Sequence, residues 1–222
     1  MKLLFLDTET CGIPSDRLAD DHPAQPPLVQ LGCLLVDGDN GAEFATLELI
    51  VRPEGRYVIP DSAVRVHGIT TAVAEEFGVP LSLVVPAYVH LRSRADAIIA
   101  HNPKFDLAIM RQAIARNGKP VTLPGPGEVI DTTELASPHC RLPATEQMIR
   151  WGRADQFKTP KLTEAYRFFF GRDYPGAHGA LADCRAAAEV YFEIKRRNEG
   201  RTVLDGAVAA LREDMQKQEV LF

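Results

Sequence analysis

Lys2-Leu3-Leu4-Phe5-Leu6-Asp7-Thr8-Glu9-Thr10 opens on an unbroken apolar run and ends in acids. Residues 3–6 have the length and flanks of a short strand. Side chains alternate faces along a strand, so Asp7 and Glu9, two apart, project to the same side. Two carboxylates held side by side repel unless a cation lies between them. An Asp-x-Glu where a strand leaves the core therefore suits a pair of ligands for a hard metal ion. The same letters also describe an ordinary solvated strand end, and alone they do not separate the two.

Two further apolar runs follow. Residues 28–36 end at the Asp37-Gly38 turn, and residues 44–51 are closed by Arg52-Pro53-Glu54-Gly55. Three such runs divided by turn residues predict an antiparallel meander. After Pro60 the texture becomes helical, with helical spacing over residues 81–91. Residues 97–100 predict an inner strand that Asn102-Pro103 breaks before a helix over 104–117. Val129-Ile130 supplies a fifth strand. Residues 120–127 and 137–144 are rich in Pro and Gly and are expected to be loops. Helices are expected over 145–151, 162–170, 181–197 and 203–215. Strands first, then strands mixed with helices, point to an α/β or α+β sheet domain with helical cover. The division expected is one domain over residues 1–200 and a C-terminal helix and tail over 201–222.

Of the 222 residues 45% are apolar and 25% charged, enough for one real core, and no apolar run reaches the roughly 20 residues of a membrane span. The start of the chain is too short in apolar residues for a signal peptide. Cys11, Cys33, Cys140 and Cys184 form no CxxC pair, so neither a zinc site nor a disulfide framework is expected. Together these describe a cytoplasmic protein with reduced thiols and no membrane partner. The net charge of -5 runs against a phosphate-binding partner. Four acids neutralised by two divalent cations would leave a charge near -1, which removes the objection.

Two more segments carry carboxylates to a sheet edge. In His101-Asn102-Pro103-Lys104-Phe105-Asp106 a strand stops, turns at proline and enters a helix whose first turn contains Asp106. Pairing with the helix macrodipole accounts for that acid equally well. In His178-Gly179-Ala180-Leu181-Ala182-Asp183 the outer residues would stand about 140° apart on one continuous helix. Flanking Gly176 and Gly179 instead put His178 in a loop and Asp183 in the helix. A histidine beside a metal-bound carboxylate suits a general base, because its pKa lies near neutrality.

The three segments together, in this order, resemble the DEDDh (DnaQ-like) 3′–5′ exonucleases over most of the chain. Val66-His67-Gly68-Ile69-Thr70 and Ile130-Asp131-Thr132 are similar to two further segments of that family. The resemblance implies a ribonuclease H-like α/β fold, with a central mixed five-stranded sheet (first three strands antiparallel) flanked by helices. It implies that Asp7, Glu9, Asp106 and Asp183 hold two Mg²⁺ (or Mn²⁺) ions and that His178 accepts the proton of the attacking water. The substrate would be nucleic acid with a free 3′ end, shortened by release of nucleoside 5′-monophosphates. DNA, single-stranded and in proofreading or repair, is favoured over RNA. By the same analogy Thr8 and Thr10, through their backbone, and His67, Ile69, Asn102 and Phe105 line the site of the terminal nucleotide. A packed turn accounts for His67 and Ile69 nearly as well. His101 reads as a turn or substrate contact rather than a metal ligand, and Asp131 as structural.

Arg150, Arg153, Lys158 and Lys161 cluster around Trp151 and Phe157, a composition that holds phosphates and stacks bases and that also suits a solvated face. The C-terminal Gln218-Glu219-Val220-Leu221-Phe222 resembles the peptide by which bacterial replication proteins dock on the sliding clamp, with Gln218, Leu221 and Phe222 as anchors. A helix end or the remnant of a protease site would read the same. With no polymerase domain in the chain, a polymerase subunit would be a separate partner. The competing readings are a 3′–5′ exoribonuclease or oligoribonuclease, a metal-dependent phosphatase, and a non-catalytic nucleic-acid-binding subunit.

Overall fold

The structure, a computed structural model, describes residues 1–118 and 128–219, with side chains up to residue 200. Five strands form one sheet: β1 (Lys2–Thr10), β2 (Leu28–Asp37), β3 (Glu43–Ile50), β4 (Ala97–Ala100) and β5 (Glu128–Asp131). Their order is β3-β2-β1-β4-β5. The first three pair antiparallel, and β4 and β5 join β1 in parallel. This is the mixed sheet expected from sequence. The helices are α1 (Asp61–His67), α2 (Thr71–Phe77), α3 (Leu81–Arg92), α4 (Pro103–Arg116), α5 (Thr132–Cys140), α6 (Glu146–Arg150), α7 (Leu162–Phe170) and α8 (Ala180–Glu219).

Strand β1 is the spine, and the alternation of its side chains divides the core into two layers. Leu3 and Phe5 pack with Ala136 of α5, Tyr166 and Phe169 of α7, and Val190 and Ile194 of α8. Leu4 and Leu6 point the other way, onto Val84 and Tyr88 of α3 and Ile109 and Met110 of α4. Helices on both faces explain why the run over residues 3–6 is apolar throughout rather than alternating. Each such side chain contributes about 1.5–3 kcal/mol by leaving water. At the open edge, β3 carries Glu43 and Glu48 and is only partly covered, a charged edge that resists pairing with another chain. A smaller cluster of Val29, Ile59, Ala63, Ile69 and Ala74 seats α1 and α2 beside β2.

The structure corrects two expectations. Residues 137–144 are not all loop, since α5 continues to Cys140. Its cap and its packing together offset its proline. The Asp131 carboxylate accepts from Thr133 N (2.8 Å) and Thr133 Oγ1 (2.7 Å), Ser137 Oγ donates to the Thr133 carbonyl, and Ala136 and Cys140 are buried in the core. Pro138 removes one helical donor, and the helix ends two residues later. The two C-terminal helices are one, because α8 runs unbroken through Gly200. A single helix-interior glycine costs about 1 kcal/mol and does not by itself stop a helix. The expected loop over 120–127 lies outside the described residues, as do Leu221 and Phe222. The side chain of Gln218 is not described either.

Candidate active site

All three carboxylate segments converge where β1 ends. Asp7 and Glu9 lie on the β1 face that α8 covers, while Thr8 and Thr10 turn to the α4 side. Glu9 is 9% exposed, and Asp7 keeps some access to solvent. Thr8 Oγ1 donates to Asp106 Oδ1 at 2.7 Å, so β1 holds the acid of the second segment as well as its own two. The Thr10 hydroxyl donates to the carbonyl of Gly12. The hydroxyls of both threonines are thus engaged within the protein, leaving their backbone for any contact with a nucleotide.

Strand β4 delivers the second segment. His101 is held between Thr132 Oγ1 and the Pro160 carbonyl, each at 2.9 Å from a ring nitrogen. Burial holds its pKa below the ordinary histidine value, which fits a role in the turn. Asn102 has φ +75°, a left-handed conformation that asparagine tolerates better than most residues, and its N–H donates to Asp131 Oδ1 at 3.1 Å. That turn starts α4 and places Asp106, 3% exposed, in the first helical turn. Asp131 caps α5 and clamps Asn102, the structural role expected of it. The Phe105 side chain packs into the α3/α4 core layer, and Ile69, 7% exposed, packs beneath α1 and α2. For both, the structure gives a packing role. Asn102 is exposed, beside a cleft of about 820 Å³ that reaches Thr159, Pro160 and Lys161.

The third segment comes from the start of α8. Asp183 Oδ1 accepts from the Tyr174 hydroxyl at 2.9 Å and from His178 N at 3.1 Å. His178 is exposed in the turn before α8, at φ +68°. One ring nitrogen of His178, one oxygen of Glu9 and one of Asp183 all lie within 4.8 Å of one another.

Two residues of β2 bring α8 to this place. Gly32 is the cross-strand partner of Asp7, and Gln30 is the partner of Glu9. A Cβ on Gly32 would stand 2.3 Å from the Ala180 carbonyl carbon and 2.7 Å from Leu181 N, so the helix start lies directly on the glycine backbone. Gln30 Oε1 accepts from Ala180 N at 3.1 Å, and Gln30 Nε2 donates to Glu48 Oε1 at 3.2 Å. Gln30, Gly32 and Tyr174 were not anticipated from sequence. A glycine inside an apolar strand run does signal close backbone approach. Nothing in spacing marks the glutamine or the tyrosine.

The electrostatics follow from the crowding. Burial, then Asp106, Asp183 and Glu9, push the Asp7 pKa well above the carboxylate range. Burial, then Asp183 and Asp106, raise Glu9 to about 8. Burial raises Asp106 to about 7 although the Thr8 hydrogen bond opposes it, and burial raises Asp183 against its bonds from Tyr174 and His178 N. Four carboxylates that resist ionising together are a site whose charged form calls for cations. The donors are oxygens, with one imidazole at the rim, which fits hard divalent ions.

His67, the last residue of α1, joins this group. Its Nδ1 accepts from Ile69 N at 3.1 Å, so the neutral ring carries its proton on Nε2. That buried Nε2 meets no acceptor in good hydrogen-bond geometry among the described residues, but the Thr10 backbone lies close enough to act on the ring. Burial lowers the His67 pKa; the Thr10 backbone opposes the shift, and nearby His178 adds to it.

Comparison with known proteins agrees with this geometry. The model of the RNase T family, described as exonuclease, matches residues 4–191. No curated protein matches the chain. Among solved structures, the zinc-bound form of an E. coli exonuclease I–single-stranded DNA complex is 20% identical with a TM-score of 0.68, over 88% of this chain and 40% of that one. E. coli exonuclease I with a dT13 oligonucleotide is 20% identical with a TM-score of 0.68, over 92% and 42%. A product-bound exonuclease I is 19% identical with a TM-score of 0.67, over 88% and 43%. The chain therefore spans well under half the length of these proteins, and the likeness is one of fold.

Proposed function

The chain belongs to the RNase T exonuclease family, and from that premise we propose that it is a metal-dependent 3′–5′ exonuclease acting on single-stranded DNA and releasing nucleoside 5′-monophosphates. The observation that carries this reading is the meeting of Asp7, Glu9, Asp106 and Asp183 with His178 at one end of β1. The family implies divalent cations, and the reading assigns two Mg²⁺ or Mn²⁺ to these oxygens. When bound, such ions neutralise the carboxylates and stabilise the attacking and leaving oxygens of an in-line phosphoryl displacement. The protein's own part is orientation and proton transfer. Thr8 and Tyr174 fix the rotamers of Asp106 and Asp183 through hydroxyl donors. His178, within reach of Glu9 and Asp183 yet open to solvent, takes the proton of the attacking water and passes it out. His67 Nε2–H, Asn102 and the backbone of Thr8 and Thr10 receive the terminal nucleotide.

A pure binding subunit would gain nothing from four like charges set against phosphate, and a monoesterase would not process strands. DNA is favoured over RNA by the exonuclease I neighbours, whose structures hold DNA oligonucleotides. A proofreading role would set this exonuclease to work beside a polymerase. Docking on a sliding clamp through Gln218, Leu221 and Phe222 would raise the local concentration of enzyme at DNA. Retention by clamp-coupled resin should then be lost on deleting residues 218–222, and unchanged retention removes the idea.

The test of the main reading is a time course on 5′-labelled single-stranded DNA and RNA with Mg²⁺, Mn²⁺ or EDTA. Ladders shortening from the 3′ end are expected only with metal and are abolished by Asp7→Ala or Asp183→Ala. His178→Ala should lower kcat by about two to four orders of magnitude. No cutting of either strand by the wild type, or full activity in these variants, overturns the assignment.

A further inference from the structure

Beyond the acids, one stretch of the molecule has no use in the fold. Every residue from Ile149 to Phe157 is exposed, including three large apolar side chains: Ile149, Trp151 (64% exposed) and Phe157 (55%). A tryptophan left so open, next to further apolar surface, marks a binding surface more often than a packing one. Four of the twelve residues 150–161 are basic against one acid, Asp155, in a chain of net charge -5. Lys158 pairs with Glu164. Among the described residues, Arg150 and Arg153 have no ion-pair partner.

This segment is fastened to the catalytic region. Thr145 caps α6 by accepting from Met148 N. The excursion from residue 142 to residue 158 is closed by Lys158 N donating to the Leu142 carbonyl at 2.9 Å. Two residues on, the Pro160 carbonyl accepts from His101, the neighbour of Asn102 and the start of the segment that carries Asp106. The cleft beside Asn102 is walled by Thr159, Pro160 and Lys161, so it leads from the second carboxylate segment to the foot of the exposed stretch. A different rim is unsuited to phosphate: Asp16 and Asp20 hold the loop before β2 against α4 through Lys104 and Arg111, and Asp21 adds a third acid.

We propose that residues 149–161 form a stacking arm that holds the substrate strand on the 5′ side of the scissile nucleotide, with bases on Trp151 and Phe157 and phosphates on Arg150, Arg153 and Lys161. The proposal rests on the exonuclease reading and extends it to strand length and strandedness. Aromatic faces accept any base once it is unpaired, so the arm selects single strands without reading sequence. A duplex offers it no base face.

The test compares wild type with Trp151→Ala/Phe157→Ala on an oligothymidylate of about 16 nucleotides, the upper end of common single-strand sites, and on a thymidine dinucleotide too short to reach the arm. The expected result is that the kcat/KM preference for the long strand falls about fivefold or more, carried by KM, while Trp151→Phe/Phe157→Tyr restores it. In an Asp7→Ala background, Arg150→Gln/Arg153→Gln should make the salt dependence of strand binding shallower by about 1.4 in log–log slope. A wild-type preference in the double variant, or equal losses on both substrates, overturns the arm while leaving the exonuclease reading intact. If the wild type cuts neither substrate, the exonuclease reading itself fails, and the binding measurement alone then judges the arm. Melting curves check that the exposed substitutions leave the fold in place.

Discussion

Gly32→Ala should separate the site without unfolding the protein. The new Cβ would stand 2.3 Å from the Ala180 carbonyl carbon, 2.4 Å from its oxygen and 2.7 Å from Leu181 N. Non-bonded carbons rest about 3.5–4.0 Å apart, so the start of α8 must retreat by about 1 Å or more. No flexible side chain is there to yield, because all three contacts are backbone. The retreat draws Asp183 away from Asp7, the cross-strand partner of Gly32, and strains the Gln30–Ala180 hydrogen bond. Overpacking costs about 1–3 kcal/mol, and relief of glycine's entropy in a strand offsets about 0.5–1 of it. The net cost is about 0–2.5 kcal/mol, and at about 2–4 °C per kcal/mol for a chain of this size the melting temperature should fall by no more than about 10 °C. A misplacement of about 1 Å at a catalytic group costs on the order of 100-fold in rate. The assay is kcat on a 5′-labelled single strand at saturating Mg²⁺, beside a calorimetric melt. A cooperative fold with kcat within about twofold of wild type would refute the claim that this glycine places the third carboxylate segment.

Three further outcomes are expected. Tyr174→Phe removes one of the two protein donors to Asp183 Oδ1; at about 1.5–3 kcal/mol for a hydrogen bond to a charged group, kcat or metal affinity should fall about 10- to 100-fold in a Mg²⁺ titration, and an unaltered titration curve would show the hydroxyl to be idle. The raised carboxylates give a pH dependence: Glu9 moves from 4.5 to about 8 and Asp106 from 3.8 to about 7. Their neutral forms favour the fold, so in EDTA their contribution is present below about pH 4 and is lost as pH rises to about 8. Mg²⁺ requires the ionised forms, so the rise in melting temperature it produces should grow from pH 6 to pH 8; an increment independent of pH contradicts the assigned ligands. Gly200→Ala, with nothing within 4 Å of the new Cβ, should stabilise α8 locally by up to about 1 kcal/mol, read as slower amide exchange around residue 200, and no change there argues against a continuous helix.

The elements whose letters carry a local physical signal were legible. The apolar run before Asp7 and Glu9, the Asn102-Pro103 break before Asp106 and the glycines around His178 before Asp183 each predicted an element and what it carries, and the three segments then specified one another. What could not be read depends on partners distant in sequence. Gln30 matters only because Ala180 N arrives beside it, and Tyr174 only because its hydroxyl reaches Asp183. Thr8, expected to meet the nucleotide through its backbone, has its hydroxyl on Asp106, a bond across 98 residues that no spacing announces. Ile69 packs with α1 and α2, as the packed-turn alternative has it, and Phe105 packs against the α3/α4 layer, partnerships that spacing does not encode. Helix α5 was hidden because Pro138 is plain in the sequence, whereas the burial of Ala136 and Cys140 that helps the Asp131 cap offset it depends on distant partners.

The hydrogen bond from Ala180 N to Gln30 closes 150 residues of chain. It forms at the helix start that brings Asp183 to the acids of β1. The fourth carboxylate and the histidine enter only when α8 lies down on Gly32. Two acids from one strand, one from α4 and one from α8 are therefore completed as a group by a single docking event, that of α8 on Gly32.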